Sequence, residues 1–167
     1  PLYRTRHFAG KSAFNGPFGD VVEEIDHNVG LLLRELKRLG IEQDTLVVFT
    51  SDNGPWLSKP DTDHGRALPF AGGKGTPYEG GYRVPMVVRW PGTVPAGRQV
   101  DDPMHIHDFF PTFCTLAGVD LPAGRVYDGA DCTALLTGTG TRLGGEEDLR
   151  FFYYRNSGHS RQVLAYR

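Results

Sequence analysis

The chain has 167 residues, 39% hydrophobic and 23% charged, which suits one ordinary soluble core or part of a larger one. Its formal charge of -2 excludes a broad basic field that would steer it to nucleic acid or an anionic membrane, so any anion handling must be local. No apolar run approaches the roughly 20 residues of a membrane helix, and Pro1-Leu2-Tyr3-Arg4-Thr5-Arg6 lacks the apolar core of a signal peptide.

In chain order, Val22, Ile25, Val29, Leu32, Leu33 and Leu36 recur on one face and predict an amphipathic helix from Phe18 to Leu39. Acidic residues lie early, basic residues late, and Gly40 follows as a stop. Gly30 inside this helix suggests close packing against a neighbouring element. Thr45-Leu46-Val47-Val48-Phe49-Thr50 is a β-branched apolar run, as in a strand covered on both faces, and the region from Ser51 to about Tyr82 is loop-like. A second strand, Val84 to Trp90, tolerates Pro85 only at its beginning or on an edge and runs into a Pro91-Gly92 turn. A helix over Ile106–Ala117 is stopped by Gly118, and a short helical turn is expected around Ala134-Leu135-Leu136. Phe151–Tyr154 and Val163–Tyr166 read as strands joined by the turn-rich Asn156-Ser157-Gly158-His159. Cys114 and Cys132 form neither a metal-type pair nor a disulfide framework and read as core residues.

Two loop motifs carry chemistry. Ser51-Asp52-Asn53-Gly54 stands at the C-terminal end of the first strand, the rim where α/β sheets bind ligands. Asp52 and Asn53 offer hard oxygen donors suited to calcium or magnesium, although Asp-Asn-Gly is also an ordinary turn sequence. Gly72-Gly73-Lys74-Gly75-Thr76 sets one lysine among glycines, so that backbone and ammonium can both approach an oxyanion. It does not match the Walker A spacing, and alone it is also a common solvated loop. His64 and Arg66 lie between the two motifs, where the organic part of a substrate could be read, and they also suit a solvated loop. His105 and His107, two apart, do not share a helical face and do not read as a metal pair.

Taken together, Asp52-Asn53-Gly54, Gly73-Lys74-Gly75-Thr76-Pro77-Tyr78-Glu79-Gly80-Gly81-Tyr82-Arg83-Val84-Pro85 and Trp90-Pro91-Gly92 resemble the C-terminal part of the sulfatase catalytic domain. Gly19 to Asp26, Asp108-Phe109-Phe110-Pro111-Thr112, Leu116-Ala117-Gly118 and Phe151 to Arg155 extend the resemblance over essentially the whole chain. It implies an α/β fold of the alkaline phosphatase superfamily, a mostly parallel mixed sheet between helices. Residues 1–147 would belong to the catalytic domain and 148–167 to the start of a small C-terminal subdomain.

The resemblance further implies one calcium ion held in part by Asp52 and Asn53, a sulfate ester substrate, and Lys74 on a sulfate oxygen. Glu79 and Arg83 would brace the lysine loop. The family's nucleophile is a formylglycine made from a Cys/Ser-x-Pro-x-Arg motif, and neither Cys114, Cys132 nor any serine fits that motif. The nucleophile, the paired Asp ligands and the remaining N-terminal part of the domain are therefore expected upstream, and the isolated chain is expected to be inactive. A periplasmic, secreted or lysosomal location follows by resemblance alone. Alternatives are a phosphodiesterase or phosphonate hydrolase of the same superfamily, disfavoured because Asn53 stands where a second transition metal would want a histidine, and a noncatalytic fragment.

Overall fold

The computed structural model describes residues 2–57 and 65–141, and the backbone of 152–157 and 160–166. The chain divides into two compact units, 1–87 and 88–167.

In the first unit, α1 spans Gly16–Arg38, close to the expected limits. Asn15 precedes it at φ 56, a left-handed conformation that Asn tolerates, and Pro17 falls in the first turn, where its missing N–H costs nothing. Lys37 and Arg38 lie in the last turn, and Gly40 at φ 70 reverses the chain so that Ile41 N reaches Leu36 O at 3.1 Å. The single-turn 3-10 helix η1 (Glu42–Asp44) follows and packs on α1. The rest of the apolar stripe is only partly covered: Val22, Ile25 and Leu32 are exposed, and Val29, Leu33 and Leu36 are half-buried. The close approach suggested by Gly30 is not seen among the described residues, where a Cβ there would meet only the Arg34 guanidinium, at 3.3 Å.

The segment before α1 is tied down by Asp20, which is 1% exposed. Its carboxylate accepts from Gly10 N (2.8 Å), Lys11 N (3.0 Å), Ser12 N (2.9 Å) and Arg4 Nε (2.8 Å). Hydrogen bonds from the Ser12 and Gly10 amides, then those of Lys11 and Arg4, outweigh burial and hold this carboxyl below its ordinary value. Asp20 is thus a buried anion satisfied by donors from the upstream segment.

Strand β1 is Val47–Thr50 and β2 is Met86–Arg89, and they pair in one two-stranded sheet. Pro85 stands just before β2, where no ladder N–H is needed. Thr50 Oγ1 donates to Pro85 O (3.1 Å) and Gly54 N to Gly81 O (2.9 Å), so the chain leaving β1 runs alongside, and opposite to, the chain approaching β2. Within the stretch expected as loop, Glu79–Tyr82 forms a single helical turn, α2.

In the second unit the chain turns at Pro91-Gly92, with Val94 N on Trp90 O at 2.9 Å and Gly92 at φ 81. The expected helix over Ile106–Ala117 appears as a 3-10 turn, η2 (Ile106–Asp108), continued by α3 (Phe109–Leu116) with Pro111 in its first turn. His105 caps η2: its Nδ1 accepts from His107 N (3.2 Å) while Asp108 Oδ2 accepts from His105 N (2.8 Å). Asp108 and Thr112, both fully buried and one helical turn apart, accept from Ala130 N (2.8 Å) and Cys132 N (2.9 Å). This pair fixes the segment that enters α4 (Thr133–Thr137), whose Leu135 and Leu136 join Cys132 as buried apolar residues. Cys114 is half-buried and Cys132 buried, and neither is in a disulfide. Strands β3 (Phe152–Ser157) and β4 (Ser160–Tyr166) form an antiparallel hairpin, longer than the two four-residue runs expected.

Candidate active-site segment

The loop after β1 places Asp52 exposed and Asn53 half-buried at the C-terminal end of that strand, the rim position expected from the sequence. Asn53 Nδ2 donates to Gly54 O (3.0 Å), which leaves the amide oxygen available as a donor atom to a metal. Ser51 Oγ donates to Asn53 O (2.9 Å) and stiffens the same turn.

Lys74 occupies a turn of its own. Thr76 N donates to Gly73 O (3.0 Å), which makes Gly73–Thr76 a four-residue turn with Lys74 at its second position. Gly75, at its third, has φ 81, the value that a type II turn demands and that a residue with a Cβ rarely adopts. The Lys74 side chain is exposed at the corner of this turn.

The two loops are one hydrogen-bonded unit. Lys74 N donates to Pro55 O (2.8 Å), Gly54 N to Gly81 O (2.9 Å), and Gly80 N to Ala71 O (2.9 Å). The backbones approach too closely for side chains: a Cβ on Gly54 would stand 1.8 Å from Gly80 O, one on Gly80 2.3 Å from Gly72 O, and one on Gly81 2.6 Å from Thr76 O. Beside this unit, Arg83 and Glu79 form a part-exposed ion pair of 2.5 Å, with the guanidinium 4.9 Å over the Phe70 ring.

Asp52, Asn53 and Lys74 thus sit on loops joined by main-chain bonds, whereas His64 lies outside the described residues and Arg66 is exposed. The oxygens of Asp52 and Asn53 fit a hard divalent cation such as calcium, for which they would supply two of the roughly six to eight oxygens it takes. Among the described residues no group of three or more His, Cys, Asp or Glu side chains could complete such a site. Sequence reasoning missed Asp20, the close approach of Gly54 to Gly80, and Thr76. The string Gly73-Lys74-Gly75-Thr76, with glycine third, is a legible type II signature.

The family model described as Sulfatase matches residues 13–119. Steryl-sulfatase of Homo sapiens is 41% identical over 160 residues, covering 93% of this chain and 27% of that protein. N-acetylgalactosamine-6-sulfatase of Canis lupus familiaris is 43% identical over 156 residues, covering 93% of this chain and 28% of that protein. The chain therefore spans little more than a quarter of these relatives. Among solved structures, the PsFucS1 sulfatase from Pseudoalteromonas sp. superposes with a TM-score of 0.77 at 37% identity, over 84% of this chain and 28% of that one. The structure of Ps i-CgsB in complex with k-i-k-neocarrahexaose gives 0.72 at 33% identity, over 84% of this chain and 32% of that one. The fold is that of the sulfatases, and the chain belongs to the sulfatase family.

Proposed function

We propose that this chain is the segment of a sulfate ester hydrolase that supplies two calcium ligands, Asp52 and Asn53, and a sulfate-binding lysine, Lys74. The observation that carries this reading is the direct main-chain union of the two loops, Lys74 N to Pro55 O at 2.8 Å and Gly54 N to Gly81 O at 2.9 Å. A cation site and an anion-binding ammonium serve one reaction only if their separation is fixed, and backbone bonds fix it better than flexible side chains do. Calcium would supply polarisation of the sulfuryl oxygens and help to activate the nucleophile. The residues of this chain would hold the ion through hard oxygens and place one compact positive charge against the transferring group.

The nucleophile motif Cys/Ser-x-Pro-x-Arg does not occur in the chain, so the isolated chain is expected to show no turnover of an aryl sulfate, with or without calcium. Sulfate esters of sterols and of sugars are both candidate substrates, since relatives named for each resemble this chain to a similar degree.

Calcium titration of two variants of the full-length protein tests the reading. Asp52→Ala removes a charged ligand, so activity should fall and excess calcium should restore part of it. Lys74→Ala should leave calcium affinity nearly intact and lower turnover by two to three decades, the roughly 3 to 4 kcal/mol typical of one lost electrostatic contact in a transition state. A Lys74→Ala variant rescued by calcium, or one with near-native turnover, would remove the anion-binding half of the proposal.

A further inference from the structure

We propose that Thr76 is a positioning residue for Lys74, its hydroxyl locking the turn that presents the ammonium to the sulfuryl group; this rests on the role proposed for Lys74 above. The lysine stands between Gly73 and Gly75, the two residues whose backbones are freest to rotate. Both glycines are dictated by the structure. Gly75 holds φ 81, and a Cβ on Gly73 would fall 2.4 Å from Pro55 O. The Lys74 N to Pro55 O bond anchors the lysine to the neighbouring loop, but the turn between the two glycines needs its own closure to fix how the side chain is presented.

The Thr76 hydroxyl does this by engaging both main-chain groups of Gly73. Thr76 Oγ1 donates to Gly73 O (2.8 Å) and accepts from Gly73 N (3.2 Å), while Thr76 N reaches the same Gly73 O (3.0 Å). Three bonds from one residue therefore close the ring that contains Lys74. The hydroxyl is also hard against the preceding residue, since a Cβ on Gly72 would stand 2.3 Å from Oγ1. On the far side, Thr76 O faces Gly81, where a Cβ would come within 2.6 Å, and Gly81 O in turn accepts from Gly54 N of the Asp52 loop. Thr76 thus links the orientation of Lys74 to the position of the metal-ligand loop, without itself carrying charge.

A hydroxyl is the group this arrangement requires, because one atom must both donate and accept. Valine would set a methyl 2.8 Å from the Gly73 carbonyl oxygen, so alanine is the cleaner deletion and serine the conservative replacement.

The test measures kcat and KM for an aryl sulfate with the calcium-loaded full-length protein. Thr76→Ala should lower kcat about tenfold with KM little changed, toward the hundredfold that a misplacement of about 1 Å can cost. Thr76→Ser should stay within about threefold of the parent because the hydroxyl is kept. Thr76→Cys, with a weak thiol donor, should fall between them, and it replaces the alanine variant if that protein does not fold.

The double variant Lys74→Ala with Thr76→Ala is decisive. A residue that acts only through Lys74 adds nothing once the ammonium is gone, so the double should turn over no slower than Lys74→Ala alone. Losses that multiply in the double, or a Thr76→Ala enzyme with parental kcat, overturn the assignment of Thr76 while leaving Lys74 in place. A silent Lys74→Ala overturns the underlying reading, and this inference with it.

Discussion

Replacing Gly54 by alanine should damage both stability and catalysis, although Gly54 has no side chain and touches no substrate. Its backbone does not adopt a positive φ, so an L-residue is conformationally acceptable there. The obstacle is space: the new Cβ would lie 1.8 Å from Gly80 O, 2.8 Å from Gly80 C and 3.0 Å from Gly81 Cα. Relief requires the Gly80-Gly81 backbone to retreat, yet Gly80 and Gly81 are themselves pressed against Gly72 O and Thr76 O. The displacement is therefore transmitted to the Lys74 turn. Overpacking of this kind costs about 1 to 3 kcal/mol. Loss of the Gly54 N to Gly81 O bond adds about 1 kcal/mol, for a sum of about 2 to 4 kcal/mol. Urea unfolding of the full-length protein measures this cost, and calcium-dependent turnover of an aryl sulfate reports the disturbed alignment. Gly75→Ala serves as the comparison. It meets open space and pays only for its φ of 81, about 1 to 2 kcal/mol. The close-contact argument fails if Gly54→Ala is no more destabilising than Gly75→Ala, or if it unfolds earlier while turnover stays at the parental value.

Three further outcomes follow from the same geometry. Gly30→Ala in α1 should raise stability by about 1 kcal/mol, read from the urea midpoint, because its Cβ meets only the movable end of Arg34. Thr112→Val keeps the shape but removes the acceptor from buried Cys132 N, and should lower stability by about 1 to 3 kcal/mol in the same assay. Asp20→Asn should lower the urea midpoint at neutral pH, where the carboxylate accepts from three amides and Arg4, and the deficit should shrink in acid. The sign follows from a folded-state value held below the ordinary one: the contribution is complete above the ordinary carboxylate value and is lost as pH falls through the depressed one. An Asp20→Asn deficit unchanged at low pH would show that the carboxylate charge is not what holds residues 10–12.

The parts of the fold that were legible are those written in local periodicity. The stripe from Val22 to Leu36 and the run Val47-Val48-Phe49 declare α1 and β1 because their spacing depends on the element itself. Limits set by partners were less legible. The pairing of β3 with β4 carries both strands beyond their apolar cores to Ser157 and Ser160, which no local pattern marks. The burial of Asp20 leaves no mark in the local pattern, because it depends on the Gly10–Ser12 amides outside the helix.

The candidate site divides along the same line. Asp52, Asn53 and Lys74 stand out as candidates in the sequence because chemistry selects residue types, here a carboxylate, an amide oxygen and an ammonium. What joins them is backbone, and backbone has no residue type. The only trace it leaves in the sequence is glycine, which a reader of composition takes for flexibility. Gly54, Gly80 and Gly81 are small because Cβ atoms would stand 1.8, 2.3 and 2.6 Å from carbonyl oxygens of neighbouring segments, which is the opposite of freedom. The candidate side chains of Asp52 and Lys74 are thus exposed, whereas the backbone that holds them is close-packed. Exchange of a reactive side chain should change chemistry and spare the fold, whereas exchange of a packed glycine should change both.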